Sequence, residues 1–175
     1  GGQVEPARTF VVTGRERHVA TARHGNLPYP QRAIRTRDYL YILNFEPDRW
    51  PMGDPRGLDD PDKAPPPFED LRENTHVAYA DCDASPTKAW MIHHRGDENV
   101  QPLFQLGFDK RPREELYDLH KDPHHMHNVA DDPQHAAAKK RLHEMLMNEL
   151  RAHADPRVVE TPCRFEGAPF TNETN

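Results

Sequence analysis

The chain reads as α+β, a small antiparallel sheet of about four strands packed with a long C-terminal amphipathic helix. Three observations predict this. Two strand-like runs, Arg32-Ala33-Ile34-Arg35-Thr36 and Tyr39-Leu40-Tyr41-Ile42-Leu43-Asn44-Phe45, are separated only by Arg37-Asp38, the spacing of a hairpin. Leu116, Tyr117 and Leu119, broken by polar residues, form a further strand that Asp122-Pro123 stops. Finally, Ala138, Leu142, Met145, Leu146 and Leu150 recur every three or four residues, which places one apolar stripe on a helix.

In chain order, Thr9-Phe10-Val11-Val12-Thr13 is β-branched and aromatic and ends at Gly14, which predicts a buried strand. Residues 14 to 31 carry Gly25, Pro28 and Pro30 among polar residues and read as a loop. The hairpin turn Arg37-Asp38 lacks the Gly or Asn that two-residue loops favour. Residues 46–84 form a Pro-rich excursion; up to residue 75 its prolines, including Pro65-Pro66-Pro67, predict no regular element longer than a turn.

Ser85 as N-cap and Pro86 at N1 start a helix that runs through His94 and stops at Gly96, with Ala89, Ile92 and His93 on one face. Asn128-Val129-Ala130 lead towards the last helix, which Asp132 caps and which runs from about Pro133 to His153, ending before Asp155-Pro156. Such a helix spans roughly 30 Å, enough to cross a small sheet. The tail after Arg157, with Pro162, Pro169 and Asn172-Glu173-Thr174, reads as irregular, and the Asn-x-Thr sequon matters only in a eukaryotic secretory route.

With 175 residues the chain suits one domain, but 35% hydrophobic content leaves little apolar surface for a self-sufficient core, so it is expected to lean on a larger body. The 23 basic residues form no long cluster and the net charge is −6, which argues against a nucleic-acid surface. Arg15, Arg17, Arg23, Arg32, Arg35 and Arg37 nevertheless concentrate positive charge locally, either as a face for an anionic ligand or as a solvated surface. Cys82 and Cys163 supply no disulfide framework and no C-x-x-C metal pair. No run approaches the ~20 apolar residues of a membrane span. Gly1-Gly2-Gln3-Val4-Glu5-Pro6 carries neither an initiator Met nor a signal-peptide core, so the chain reads as a segment that begins inside a longer protein.

The run Glu115-Leu116-Tyr117-Asp118-Leu119-His120-Lys121-Asp122-Pro123-His124-His125-Met126-His127-Asn128-Val129-Ala130 resembles E-L-Y-D-L-x-x-D-P-x-E-x-x-N-L-A, found near the C-terminus of type I, formylglycine-dependent sulfatases. Thr13-Gly14-Arg15-Glu16-Arg17-His18, Tyr29-Pro30-Gln31-Arg32-Ala33-Ile34-Arg35-Thr36 and the hairpin after them are similar to the heparan N-sulfatase (sulfoglucosamine sulfohydrolase)-like branch and its bacterial relatives. Pro47-Asp48-Arg49-Trp50-Pro51 and Ser85-Pro86-Thr87-Lys88-Ala89-Trp90 fit the bacterial members, and the likeness covers roughly residues 9 to 170.

This resemblance implies that residues 1–175 are a sulfatase C-terminal subdomain, a four-stranded antiparallel sheet beside a long helix, attached to an alkaline-phosphatase-like catalytic domain preceding it in the same chain. It implies hydrolysis of sulfate esters or sulfamates of a sulfated carbohydrate by an exported or periplasmic protein, lysosomal in the family's animal members. The family's nucleophile is a formylglycine made within C/S-x-P-S-R beside a calcium ion; Cys82 is followed by Asp83-Ala84-Ser85 and Cys163 by Arg164-Phe165-Glu166, and neither fits. No catalytic residue and no metal ligand is therefore assigned here, and calcium and formylglycine are expected in the full-length enzyme only. Asp59-Asp60 lies in a Pro-rich loop and Asp131-Asp132 is explained by helix capping.

In the family the loop after the first strand of this subdomain approaches the mouth of the active site. Here that loop carries Arg17 and His18, the first candidates for substrate binding, with Arg15 and His24 behind them. A guanidinium offers a planar fork to a carboxylate or sulfate, and an imidazole donates to sugar oxygens. Ordinary loop charge is the alternative. His120, His124, His125 and His127 crowd one turn and read as solvated residues or as a metal site, the basis of a rival reading as a binding module for metal or a protein partner. Tyr117 and Trp90 are expected to pack in a core or domain interface.

Overall fold

The computed structural model describes residues 7–60 and 62–168; the sequon at Asn172 lies outside them. Four strands, β1 (Phe10–Arg15), β2 (Gln31–Thr36), β3 (Tyr39–Asn44) and β4 (Glu114–Asp118), form an antiparallel sheet in the order β1-β2-β3-β4. Helices α1 (Phe68–Glu73), α2 (Pro86–His93) and α3 (Gln101–Phe108) lie between β3 and β4, and α4 (Ala136–Ala152) and α5 (Pro156–Val159) follow. The chain divides into two compact units. One holds residues 7–16, Pro30–Phe45 and Pro112–Phe165; the other holds Arg17–Tyr29, Glu46–Arg111 and residues 166–168.

The first unit contains the sheet and α4. Register puts Ile34 opposite Tyr41 and Tyr41 opposite Leu116, so these residues share one face. Against that face α4 places Leu142, Leu146 and Leu150, spaced by four, and all six are buried. Each such leucine removed from water contributes about 1.5–3 kcal/mol. Asp132 accepts a hydrogen bond from Gln134 N, Pro133–His135 forms a 3-10 turn, and α4 continues directly from it, so the capping expectation holds. The hairpin turn compensates for its missing Gly with Thr36, whose hydroxyl oxygen accepts from Asp38 N at 3.3 Å and Tyr39 N at 3.1 Å.

Unlike the expectation of a buried strand, β1 is an edge strand that continues through Gly14, and Val11 and Val12 are 41% and 37% exposed. Among the described residues only β2 pairs with β1, and apolar composition alone does not distinguish an edge from a centre. A Cβ at Gly14 would stand 2.8 Å from Cδ of Arg32, so a larger residue there would displace that side chain.

The E-L-Y-D-L run and its sequel are held by their own polar groups. Glu115, buried, accepts from Asn44 Nδ2 at 2.8 Å and from the Tyr117 hydroxyl at 2.6 Å. Asp118 accepts from His120 N and Asp122 from His127 N, which closes the turn. Asn128 Oδ1 then accepts from Leu116 N at 2.9 Å and Ala130 N at 3.0 Å, clipping the returning chain against β4 before α4 begins. Each of these side chains thus has a structural task.

The second unit has its own core, in which Leu71, Ala78, Tyr79, Ala89, Ile92, Phe104 and Phe108 are buried. Of its helices, α1 departs from the sequence reading, which expected no regular element up to residue 75, and α3 was not read from the sequence. α1 forms despite the prolines because they precede it, and α3 because Phe104 and Phe108 bury one face of a short helix with Pro102 in its first turn, where no intrahelical N–H is required. α2 begins as expected, with Ser85 Oγ accepting from Lys88 N at 3.1 Å. Ala89 and Ile92 are buried, but His93 is exposed and faces the Pro66 carbonyl. Trp90 is 46% exposed and stacks on His94, so it is not a core residue of this unit. Lys88 is buried instead and donates to the carbonyls of Thr75, Tyr79 and Cys82; burial holds its ammonium below the usual lysine range. No helix among the described residues is long and apolar enough to cross a membrane.

Candidate functional site

The segment Arg17–Tyr29 is built from one internal arginine outward. Arg23 is buried, and its guanidinium donates to Asp81 Oδ2 at 2.6 Å, to the Pro51 carbonyl at 2.8 Å and, through Nε, to the Trp50 carbonyl at 2.7 Å. The guanidinium also lies 5.6 Å from the centroid of the Tyr29 ring. Asp81 uses its second oxygen to accept from Val19 N at 2.8 Å. Further along, Asp54 N donates to the Ala22 carbonyl at 2.8 Å, Arg56 donates to the Thr21 carbonyl at 2.6 Å, and Asp54 accepts from His24 N at 2.6 Å.

The backbone beneath must come close. Gly53 has φ +93°, and a Cβ there would lie 2.8 Å from Ala80 N and 3.0 Å from the Ala22 carbonyl. Residues 50–56 and 79–81 are therefore a platform on which the Arg/His segment is seated. The Pro-rich stretch suits that task because proline restricts the chain before any contact forms.

On this platform His18 and His24 are exposed and Arg17 is half-buried. All three belong to the second unit, whereas Arg15 is half-buried at the end of β1 in the first. Two of the six clustered arginines are not surface charge. Arg23 is consumed by Asp81, and Arg32, also buried, is held by Asp155 through Nε at 2.6 Å and by Glu16 at 2.8 Å, while Arg157 closes on Glu16 at 2.6 Å. The positive field expected from this stretch is correspondingly reduced, and Arg35 and Arg37 remain exposed.

An open cleft of about 730 Å³ lies beside β1 in the first unit, lined by Arg15, Glu16, Arg32, His153, Asp155 and Phe165 among others. Its charges answer one another. Burial pulls the Asp155 carboxyl upward, but the hydrogen bonds from Arg32 and Arg157 N outweigh it and hold the group below the usual carboxylate range. With its guanidinium engaged by two carboxylates, Arg32 is a structural cation.

The four histidines of the turn diverge. His120 meets Asp38 at 2.8 Å, His125 lies 5.7 Å ring to ring from Tyr117, and His124 and His127 are exposed. Among the described residues no group of three or more His, Cys, Asp or Glu side chains is placed to share a metal ion. Asp60 is occupied by Asp62 N and Lys63. Neither cysteine is in a disulfide. Tyr117 is buried in the network of Glu115.

Sequence reasoning missed Asp54, Arg56 and Asp81 as the residues that seat the segment, and Arg23 as its anchor. The only signal was a loop rich in Asp and Gly, which does not name partners dozens of positions away. Chemically the arrangement offers donors to an anion or to hydroxyl groups. No model of a known protein family matches this chain, and no curated protein matches it.

Proposed function

We propose that the chain is the C-terminal portion of a type I sulfatase that hydrolyses sulfate esters or sulfamates of a sulfated glycan, the N-sulfate of glucosamine being one candidate substrate. In this reading the formylglycine and calcium belong to a catalytic domain preceding Gly1, and this portion supports the fold and contributes to the rim of the substrate entrance.

The observation that carries the reading is the seating of Arg17–Tyr29 by the Arg23–Asp81 pair, which leaves His18 and His24 exposed. A positioned imidazole or guanidinium binds a sugar hydroxyl or an outlying anionic group without the ordering cost that a mobile loop would incur. The resemblance supplies the enzyme class, and the four-stranded antiparallel sheet with its helix agrees with the architecture it implies.

The test begins upstream. The reading frame before Gly1 is expected to contain C/S-x-P-S-R, and the protein encoded by that frame, with its Cys or Ser converted, to hydrolyse an aryl sulfate and a glucosamine N-sulfate oligosaccharide. The 175-residue chain alone is expected to hydrolyse neither, with or without calcium. A frame lacking the motif, or turnover by the chain alone, contradicts the proposal.

A further inference from the structure

The geometry points to a binding pocket for one neutral sugar ring in the second unit, between the aromatic side chains Trp50, Tyr79 and Phe104 and the charged side chains Asp59, Arg95 and Asp109. The cavity has a volume of about 350 Å³. That is at the small end of the roughly 300–1,000 Å³ of ligand sites and suits one ring better than a chain of them.

Tyr79 is the centre of the arrangement. It has φ +47°, a region that non-glycine residues rarely occupy and that persists only where surrounding contacts enforce it. Its backbone is fixed by Tyr79 N donating to the Asp54 carbonyl at 3.0 Å and by Lys88 Nζ donating to the Tyr79 carbonyl at 3.3 Å. Its ring meets Trp50 and Phe104 edge to face, each at 6.1 Å, and tilts against Phe108 at 4.8 Å. The charges of Asp109, Arg95 and Asp59 act on its hydroxyl and line the same cavity. Burial, with Asp109 beside it, pushes the phenol up to about 12, so at neutral pH it stays an O–H donor.

The mixture of charges selects the ligand class. An anion would be drawn to Arg95 and to Lys110, whose ammonium lies 5.4 Å from the Trp50 ring, but two carboxylates oppose it. A cation would be drawn to Asp59, Asp109 and the aromatic faces, but Arg95 and Lys110 oppose it. A neutral polyhydroxylated ring uses both signs: carboxylates accept from its hydroxyls, the guanidinium donates to its oxygens, and its C–H face lies on an aromatic wall. The inference stands apart from the sulfatase proposal, since it concerns binding alone and would hold without any sulfate hydrolysis.

The chain has two tryptophans, and replacing the exposed one by Trp90→Phe leaves Trp50 as the sole tryptophan, read selectively by excitation at the red edge of indole absorption. Titration of this variant of the intact chain with methyl α-glucoside and with N-acetylglucosamine should give a saturable change with Kd on the order of 1 mM, as expected for a ligand of that size. Sodium sulfate and tetramethylammonium chloride should give none. Asp109→Asn should weaken sugar binding about tenfold, and Tyr79→Phe, which keeps the ring and the core, roughly fivefold with an unchanged melting temperature. No saturable response to either sugar, tighter binding of sulfate or tetramethylammonium, or wild-type affinity in both variants would overturn the inference.

Discussion

Asp81 receives the guanidinium of Arg23 at 2.6 Å, with both side chains buried and the two residues 58 positions apart in sequence. The same carboxylate accepts from Val19 N, so one residue of the second unit fixes both ends of the turn that carries Thr21. Removing it leaves a buried cation without its counter-charge. Asp81→Ala is expected to cost about 3–5 kcal/mol in urea unfolding, the usual penalty for breaking a buried pair. A loss below about 1 kcal/mol, the level of an exposed pair, would show that water reaches the guanidinium.

Two glycines make opposite expectations. Gly53→Ala puts a methyl group against the backbone of Ala80 and Ala22 at positive φ, where neither neighbour is a flexible side chain, and should destabilise by about 1–3 kcal/mol. Gly107 sits within α3 with nothing within 4 Å of its added Cβ, so Gly107→Ala should stabilise by about 0.5–1 kcal/mol. Thermal unfolding of the two variants checks both signs.

Leu146 is fully buried between α4 and the sheet. Leu146→Ala is expected to cost about 2–5 kcal/mol by chemical denaturation. A change within about 0.5 kcal/mol, the level of a surface site, would contradict the packing described for α4.

The Asp155–Arg32 pair gives a defined acid response. The folded carboxyl is held below its ordinary value of 3.8, so as pH falls the unfolded chain takes up the proton first. The stabilisation is present above about pH 4 and is lost as pH drops through the folded value. Denaturation midpoints measured between about pH 5 and pH 2 should fall less steeply for Asp155→Asn than for the wild type. Parallel curves would mean that the pair does not favour the charged form.

The elements with a strong local pattern were legible. The hairpin showed strand-length apolar runs two residues apart, α4 showed its leucines every four positions, and Ser85 and Asp132 cap where their side chains permit. The second core was legible only where Ala89 and Ile92 share a face of α2; Leu71, Tyr79 and Phe104 lie on separate segments and join them only in three dimensions. Burial of Arg23 and Arg32 was hidden for a similar reason. An arginine reads as surface until its carboxylate is found, and Asp81 and Asp155 lie 58 and 123 residues away. Among the site candidates, the sequence marked the segment that carries Arg17, His18 and His24, while the platform beneath it emerged only from the fold.

Under the proposed function, Arg17 and His18 bind substrate at the entrance and do not take part in breaking the bond to sulfur. The most direct test is kcat/KM of the proposed full-length sulfatase for a sulfated oligosaccharide and for a small aryl sulfate, with Arg17→Ala and His18→Ala. Loss of one charge-assisted hydrogen bond, about 1.5–3 kcal/mol, should lower the oligosaccharide value roughly ten- to more than a hundredfold while the aryl sulfate value stays near wild type. Equal losses on both substrates in a stably folded protein, or no loss on either, would contradict the claim.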